Sequence, residues 1–236
     1  MKPYPLMMNL HDKEVLVVGG GVVALRKVES LLQCGAKVTV VSPAAVPEIE
    51  RIAMRGYAVW IGLGFSEDMF PDTYHPALVF GATDDREVNV RIHEYAVNRG
   101  IPCNIADVPD LCTFIVPAVV RQGDITVAIS TGGASPSLAR RIREDLERHL
   151  GPEYAIMARL VGFLRKPVID IGRSSDENKK IFMRLTDPEV LREIKDRDRE
   201  SIIALLRRLL PAQIDPEPAV DHALEIPRAQ GDSEWI

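Results

Sequence analysis

The run Gly19-Gly20-Gly21-Val22-Val23-Ala24 fits the spacing GxGxx(G/A) and follows directly on an apolar stretch, Glu14 to Val18. In that spacing Gly19 makes a tight turn, Gly21 lets the backbone approach a pyrophosphate, and Ala24 permits close packing of a helix on a strand. The chemistry is anion capture, with backbone N–H groups at a helix N-terminus facing the phosphates of a dinucleotide. A lone glycine fingerprint is weak evidence, and a purely structural glycine turn is the rival reading. The flanks decide between them. Val23, Leu25, Val28, Leu31 and Leu32 approximate helical spacing, Gly35 ends that helix, and Lys37 to Val41 (KVTVV) reads as the next buried strand. Strand, glycine turn, helix and strand together make a βαβ unit that binds a dinucleotide.

Other residues qualify or extend this chemistry. The second strand ends in Val41-Ser42-Pro43-Ala44, without the acidic residue that would bond an adenine ribose and without an Arg for a 2′-phosphate, so NAD is expected over NADP. Thr83 and Asp84 follow a fourth strand, where a loop lies against ribose and nicotinamide; Asp84 is alternatively a helix N-cap. Asp107, in Asn104-Ile105-Ala106-Asp107, is a carboxylate at a strand end, or else a cap for the turn Val108-Pro109-Asp110. Thr131-Gly132-Gly133-Ala134-Ser135-Pro136 offers backbone N–H groups and a helix N-terminus as a seat for a carboxylate, with Arg140, Arg141 and Arg143 nearby. Its rival is a glycine turn followed by a solvated basic face. The five histidines show neither HxH nor HExxH spacing, so no preformed metal site is expected.

These residues need a scaffold of alternating elements. Helices are predicted around Pro47 to Arg55 and from Glu87 to Asn98, and strands at Tyr57 to Ile61, Ala77 to Ala82 and Pro102 to Ile105. That alternation predicts a doubly wound, mostly parallel α/β sheet, with its ligand crevice at the carboxyl ends of the strands, where Gly19, Ser42, Thr83 and Asp107 fall. After Leu111 the pattern changes. Phe114 to Arg121 and Ile125 to Ser130 flank Gln122-Gly123-Asp124 as an antiparallel hairpin. Ser135 then caps a helix with Pro136 in its first turn and Gly151 closing it. From Tyr154 the pattern is helical, with a charged helix from Asp187 to Leu210 stopped by Pro211, and residues 216–236 read as disordered. The domains expected are 1–113, 114–150, 151–215 and a tail, 216–236.

Bulk properties exclude several classes. The chain has 236 residues, 46% hydrophobic and 27% charged, with a net charge of −5 that disfavours nucleic-acid binding. No apolar stretch is long enough to span a bilayer and no signal peptide is evident, so a cytoplasmic location is expected. Cys34, Cys103 and Cys112 form no CxxC and are odd in number, which predicts reduced thiols.

VVGGGVVALRK at 17–27, FGATDDREVN at 80–89, CNIADVPDLCTFIVPA at 103–118 and STGGASPSLARRIRE at 130–144 occur in the order seen in siroheme synthase N-terminal modules, and the chain resembles that family over roughly residues 1–150. The family comprises precorrin-2 dehydrogenases, some of them also sirohydrochlorin ferrochelatases. The resemblance implies a Rossmann domain, a hairpin-plus-helix dimerisation region and a small C-terminal helical domain, with the active site between the parts of a homodimer. It implies NAD as cofactor, held by Gly19 to Ala24, Ser42 to Ala44, Thr83 and Asp84, and precorrin-2 and sirohydrochlorin as ligands. Asp107 matches the family's key carboxylate. Asn104, Thr131, Gly132, Gly133, Ser135 and Arg140 then line the substrate cleft. Ferrous or cobaltous ion is implied as a further substrate where chelatase activity is present. Only a short helical stretch follows Gly151, so the methyltransferase domain of longer siroheme synthases is not expected. The rival from another class is a non-catalytic, dinucleotide-sensing Rossmann regulator, and a third possibility is a dehydrogenase of another small molecule.

Overall fold

The computed structural model describes residues 3–225. Contacts divide the chain into two units, one up to Val116 and the other from Pro117 onward.

The first unit is a five-stranded sheet in the order β3-β2-β1-β4-β5, all strands parallel. Its strands are β1 (Glu14–Val18), β2 (Lys37–Val41), β3 (Ala58–Ile61), β4 (Leu78–Gly81) and β5 (Cys103–Ile105). The connecting helices are α1 (Val22–Leu32), α2 (Pro47–Met54) and α3 (Arg86–Asn98). Strand β1 is central and buried from Val15 to Val18, because a strand covered on both faces needs apolar residues in both phases of its pleat. Val15 and Val17 join Val28, Ile49 and Phe80 on one face of the sheet, while Leu16 and Val18 join Ile92, Tyr95 and Ile105 on the other. The chain runs outward from β1 through β2 to β3, then returns to β4 on β1's other side. The sheet therefore has its topological switch point between β1 and β4, where ligands of doubly wound sheets bind.

The second unit opens with the antiparallel hairpin β6 (Ala118–Gln122) and β7 (Ile125–Ile129), closed by Gly123-Asp124. Gly123 takes φ +57, and a Cβ there would lie 2.7 Å from that of Ala155. Six helices follow: α4 (Pro136–His149), α5 (Pro152–Asp170), α6 (Ser175–Leu185), α7 (Pro188–Asp196), α8 (Arg199–Leu209) and α9 (Glu217–Leu224). Ile156, Leu160, Leu164 and Val168 lie on one stripe of α5 and pack with Leu185, Ile194 and Leu206.

Three expectations for this unit are corrected. Gly151 does not close α4; with φ −74 and ψ 176 it is the N-cap of α5, and Pro152 occupies the first helical position. The single helix expected from Asp187 to Leu210 is two, because Arg197 adopts φ 55 and Asp198 starts α8 by accepting hydrogen bonds from the Glu200 and Ser201 N–H groups. Residues 216–225 are ordered rather than disordered: α9 buries Ala219, Val220 and Ala223 in the helical core, and Arg199 anchors it through Asp221. The rest of the expected tail lies outside the described residues. Among the described residues no helix is long and apolar enough to cross a membrane.

Candidate active site

A cleft of about 960 Å³ opens at the carboxyl ends of β1, β2, β4 and β5, a volume suited to a cofactor-sized ligand. Its floor is the glycine turn. Gly19 has φ +126, and a Cβ on it would meet the Ala82 carbonyl oxygen at 2.2 Å. A Cβ on Gly20 would strike the Ala44 carbonyl oxygen at 2.0 Å, so this glycine serves the packing of two loops. Gly21 differs, since a Cβ there meets no protein atom within 4 Å and the space beside it belongs to the cleft. Helix α1 starts at Val22 with no side-chain cap and no acidic residue in its first turn. Its free N–H groups and positive dipole end are thus left for a bound phosphate.

Of the expected cofactor residues, Gly19, Gly20, Gly21, Val22, Val23, Ser42, Pro43, Ala44, Thr83 and Asp84 all line this cleft. Ala24 does not; it is fully buried between α1 and the sheet, the packing role its size suits. The Ser42 hydroxyl donates to the Ala44 carbonyl at 2.6 Å and the Trp60 indole N–H donates to the Ser42 carbonyl at 3.1 Å. Ser42 therefore shapes the cleft-lining loop that carries Pro43 and Ala44. The N-cap of α3 is Asp85, not Asp84, with its carboxylate accepting from the Glu87 and Val88 N–H groups. Asn89, buried beneath the loop, donates to the Thr83 carbonyl at 3.0 Å and accepts from the Thr83 hydroxyl at 3.1 Å. Sequence reasoning did not single out Asn89, although a polar residue on the buried face of a helix was the available signal.

Asp107 stands on the β5 side of the same cleft. It takes the left-handed conformation, φ 60, which is uncommon outside glycine and tolerated best by Asp and Asn. The turn after it is closed by backbone bonds, Val108 N–H to Ile105 and Leu111 N–H to Val108, so the carboxylate is not spent on capping. It is exposed toward the cleft. Asn104 lies behind it, donating its amide N–H to the Phe114 carbonyl at 3.0 Å and to the Cys112 sulfur at 3.5 Å. The Asn104 side chain thus ties residues 112–114 to β5 and leaves the carboxylate to its neighbour.

Lys27 was also missed. Its ammonium lies 5.7 Å from the centre of the Phe80 ring, and it interacts electrostatically with Asp107 and Cys112. Burial, and then the neighbouring Arg26 charge, push its pKa below the usual lysine value.

In the second unit, Thr131, Gly132, Gly133 and Ser135 form a tight turn before α4. The Thr131 hydroxyl accepts from Ser135 N–H at 3.0 Å and donates to the Ser135 carbonyl at 3.1 Å, while Ser135 caps Leu138 N–H at 3.2 Å. Arg140 is exposed and donates to Glu144 at 2.8 Å; Arg143 pairs in the same way with Glu147. The basic face read from the sequence is thus matched by carboxylates one turn away. Among the described residues no group of three or more His, Cys, Asp or Glu side chains could hold a metal ion.

A family model described as "Putative NAD(P)-binding" matches residues 6–118, and one described as the sirohaem biosynthesis protein central domain matches 122–149. The chain is similar to siroheme synthases. It is 34% identical over 233 residues to the siroheme synthase of Thioalkalivibrio sulfidiphilus, covering 99% of this chain and 47% of that protein. With the siroheme synthase of Methylococcus capsulatus the identity is 42% over 164 residues, covering 70% of this chain and 34% of the relative. The chain therefore spans less than half the length of these siroheme synthases. A solved structure titled "SirC, precorrin-2 dehydrogenase" matches with a TM-score of 0.69 at 27% identity, covering 83% of this chain and 98% of that one. The first family match takes in the whole glycine-turn cleft, from Gly19 to Asp107.

Proposed function

We propose that this chain is an NAD-dependent dehydrogenase that oxidises precorrin-2 to sirohydrochlorin, on the siroheme or cobalamin route. The observation that carries the reading is one cleft lined both by the glycine turn Gly19–Gly21 and by a carboxylate, Asp107, that has no ion-pair partner among the described residues. The residues present fit a dinucleotide: Gly21 leaves open space where a pyrophosphate approaches, and α1 presents uncapped N–H groups there. The cofactor, when bound, supplies a hydride acceptor.

The chain's own residues do the rest. The glycine turn and Ser42 to Ala44 fix the adenosine and phosphate portions, Thr83 and Asp84 flank the far end, and Asn89 holds the Thr83 loop in place. Removing a hydride from the tetrapyrrole leaves a proton to be lost, and Asp107 is the base that takes it. NAD is favoured over NADP because the Ser42 to Ala44 loop presents no cation for a 2′-phosphate. The turn from Thr131 to Ser135, with Arg140 behind it, is assigned to the tetrapyrrole's carboxylates. The domain division at 113 and 150, the homodimer and the cytoplasmic location are part of the same reading. Leu138 and Ile142 on α4, apolar side chains left exposed among the described residues, support the dimer.

The test is anaerobic absorbance of the purified chain with precorrin-2 and NAD. NADH and sirohydrochlorin appearing in equal amounts support the dehydrogenase; NAD binding without NADH formation overturns it in favour of a dinucleotide sensor. Adding ferrous or cobaltous ion then reads the second activity, with metal-dependent loss of free sirohydrochlorin marking a chelatase.

A further inference from the structure

We propose that Lys27 receives a carboxylate of the bound tetrapyrrole beside Asp107, acting as a substrate-binding cation outside the cofactor cleft; the identity of the ligand, though not its charge, rests on the dehydrogenase reading.

The geometry is that of a cation held ready for an anion. Lys27 lies on α1, on the sheet face that also carries Phe80 and Phe114, whose rings meet edge to face at 5.6 Å. Its ammonium sits over the Phe80 ring, 5.7 Å from the ring centre. Among the described residues no carboxylate lies at ion-pair distance from it, although Asp107 is near enough to act on it electrostatically. A half-buried ammonium without a partner is unfavourable, and burial accordingly pushes its pKa down. An incoming carboxylate offsets that cost.

The charge around the site sharpens the need. Among the cleft-lining residues the acidic side chains Asp84, Asp85 and Asp107 outnumber one cation, Arg86, and the whole chain is net negative at −5. A polycarboxylate approaching Asp107 is repelled unless a cation stands close by, and Lys27 is a cation that interacts with Asp107. Arg26 does not share the role, since its guanidinium is exposed and turned back to the Val22 carbonyl at 3.5 Å. Beside Phe80, the partly buried Phe114 offers an apolar edge to a macrocycle.

The experiment uses the whole chain, with uroporphyrin I as an unreactive fluorescent tetrapyrrole polycarboxylate and NAD as a control ligand. Lys27→Met keeps an unbranched stem and deletes the charge; Lys27→Arg keeps the charge. Lys27→Met is expected to weaken porphyrin binding about tenfold and flatten its salt dependence, with NAD affinity unchanged, while Lys27→Arg stays within about threefold of wild type. Equal porphyrin affinity in Lys27→Met and wild type overturns the proposal, as does joint loss of NAD affinity, which marks a structural role. A wild-type chain that binds no porphyrin overturns it too. Porphyrin binding that depends on Lys27, in a chain that makes no NADH from precorrin-2, upholds the cation and removes the dehydrogenase reading alone.

Discussion

At the scale of single residues, the three consecutive glycines do different work. Gly19 and Gly20 lie against backbone carbonyls and are required by the protein itself, whereas Gly21 faces only the cleft. Gly21→Ala is therefore expected to unfold at the same urea concentration as wild type within experimental error, yet to bind NAD at least about tenfold more weakly, because the added methyl occupies the pyrophosphate's place. A Gly21→Ala chain with unchanged NAD affinity would show that the phosphates lie elsewhere. The spacing GxGxxA made this turn legible in the sequence, whereas Asp107 was singled out by the family resemblance, since its residues alone read equally as a turn cap. Lys27 was not legible: on α1 it reads as an ordinary polar position, and what makes it special comes from Phe80 on β4 and the loop at Asp107, both remote in sequence.

At the scale of elements, helix starts differ in what meets their N–H groups: α2, α5, α7 and α9 have no side-chain cap but carry an acidic residue in the first turn. Helices α3, α4, α6 and α8 are capped by Asp85, Ser135, Ser174 and Asp198, while α1 has neither a side-chain cap nor an acidic first turn. Asp85→Ala removes both cap bonds of α3 and is expected to lower stability by about 1 kcal/mol in urea unfolding. Because Asp85 also bonds the Thr83 hydroxyl through its backbone, the variant should keep the loop and retain NAD binding. Loss of NAD affinity larger than the stability change would place Asp85 among the ligand contacts instead. The alternating strands and helices of the first unit were legible because their apolar periods differ. The break between α7 and α8 was not, since Asp196-Arg197-Asp198 preserves a helical charge pattern and only the left-handed Arg197 interrupts it. Helix α9 was hidden by its composition: Pro216 and Pro218 suggest a coil, but they fall at its N-cap and first turn, where proline is tolerated.

At the scale of the whole molecule, each unit carries its own core, and the aromatic residues of the first give its stability a pH limit. Tyr74 stacks on Phe70 with ring centres 4.5 Å apart, and burial raises its phenol to about pKa 12; burial also raises Tyr95, which packs against Phe65 and Phe70. A phenol whose folded pKa lies above its unfolded value, about 10, favours the fold in its neutral form. That contribution is complete below pH 10 and is lost as pH rises toward 12. Urea unfolding of the wild type should weaken across this window by up to about 2 kcal/mol relative to Tyr74→Phe, which has no phenol to ionise. Parallel pH dependence in the two chains would remove Tyr74 as the cause.

The central claim is that one cleft holds the dinucleotide and that Asp107 takes the proton released as the tetrapyrrole is oxidised. Its most direct test is a single-turnover measurement of NADH formation, at saturating precorrin-2 and NAD, in wild type and in Asp107→Asn. The account predicts a rate lower by about 10²–10⁴ in the variant with NAD affinity unchanged. Equal rates in the two chains would contradict it.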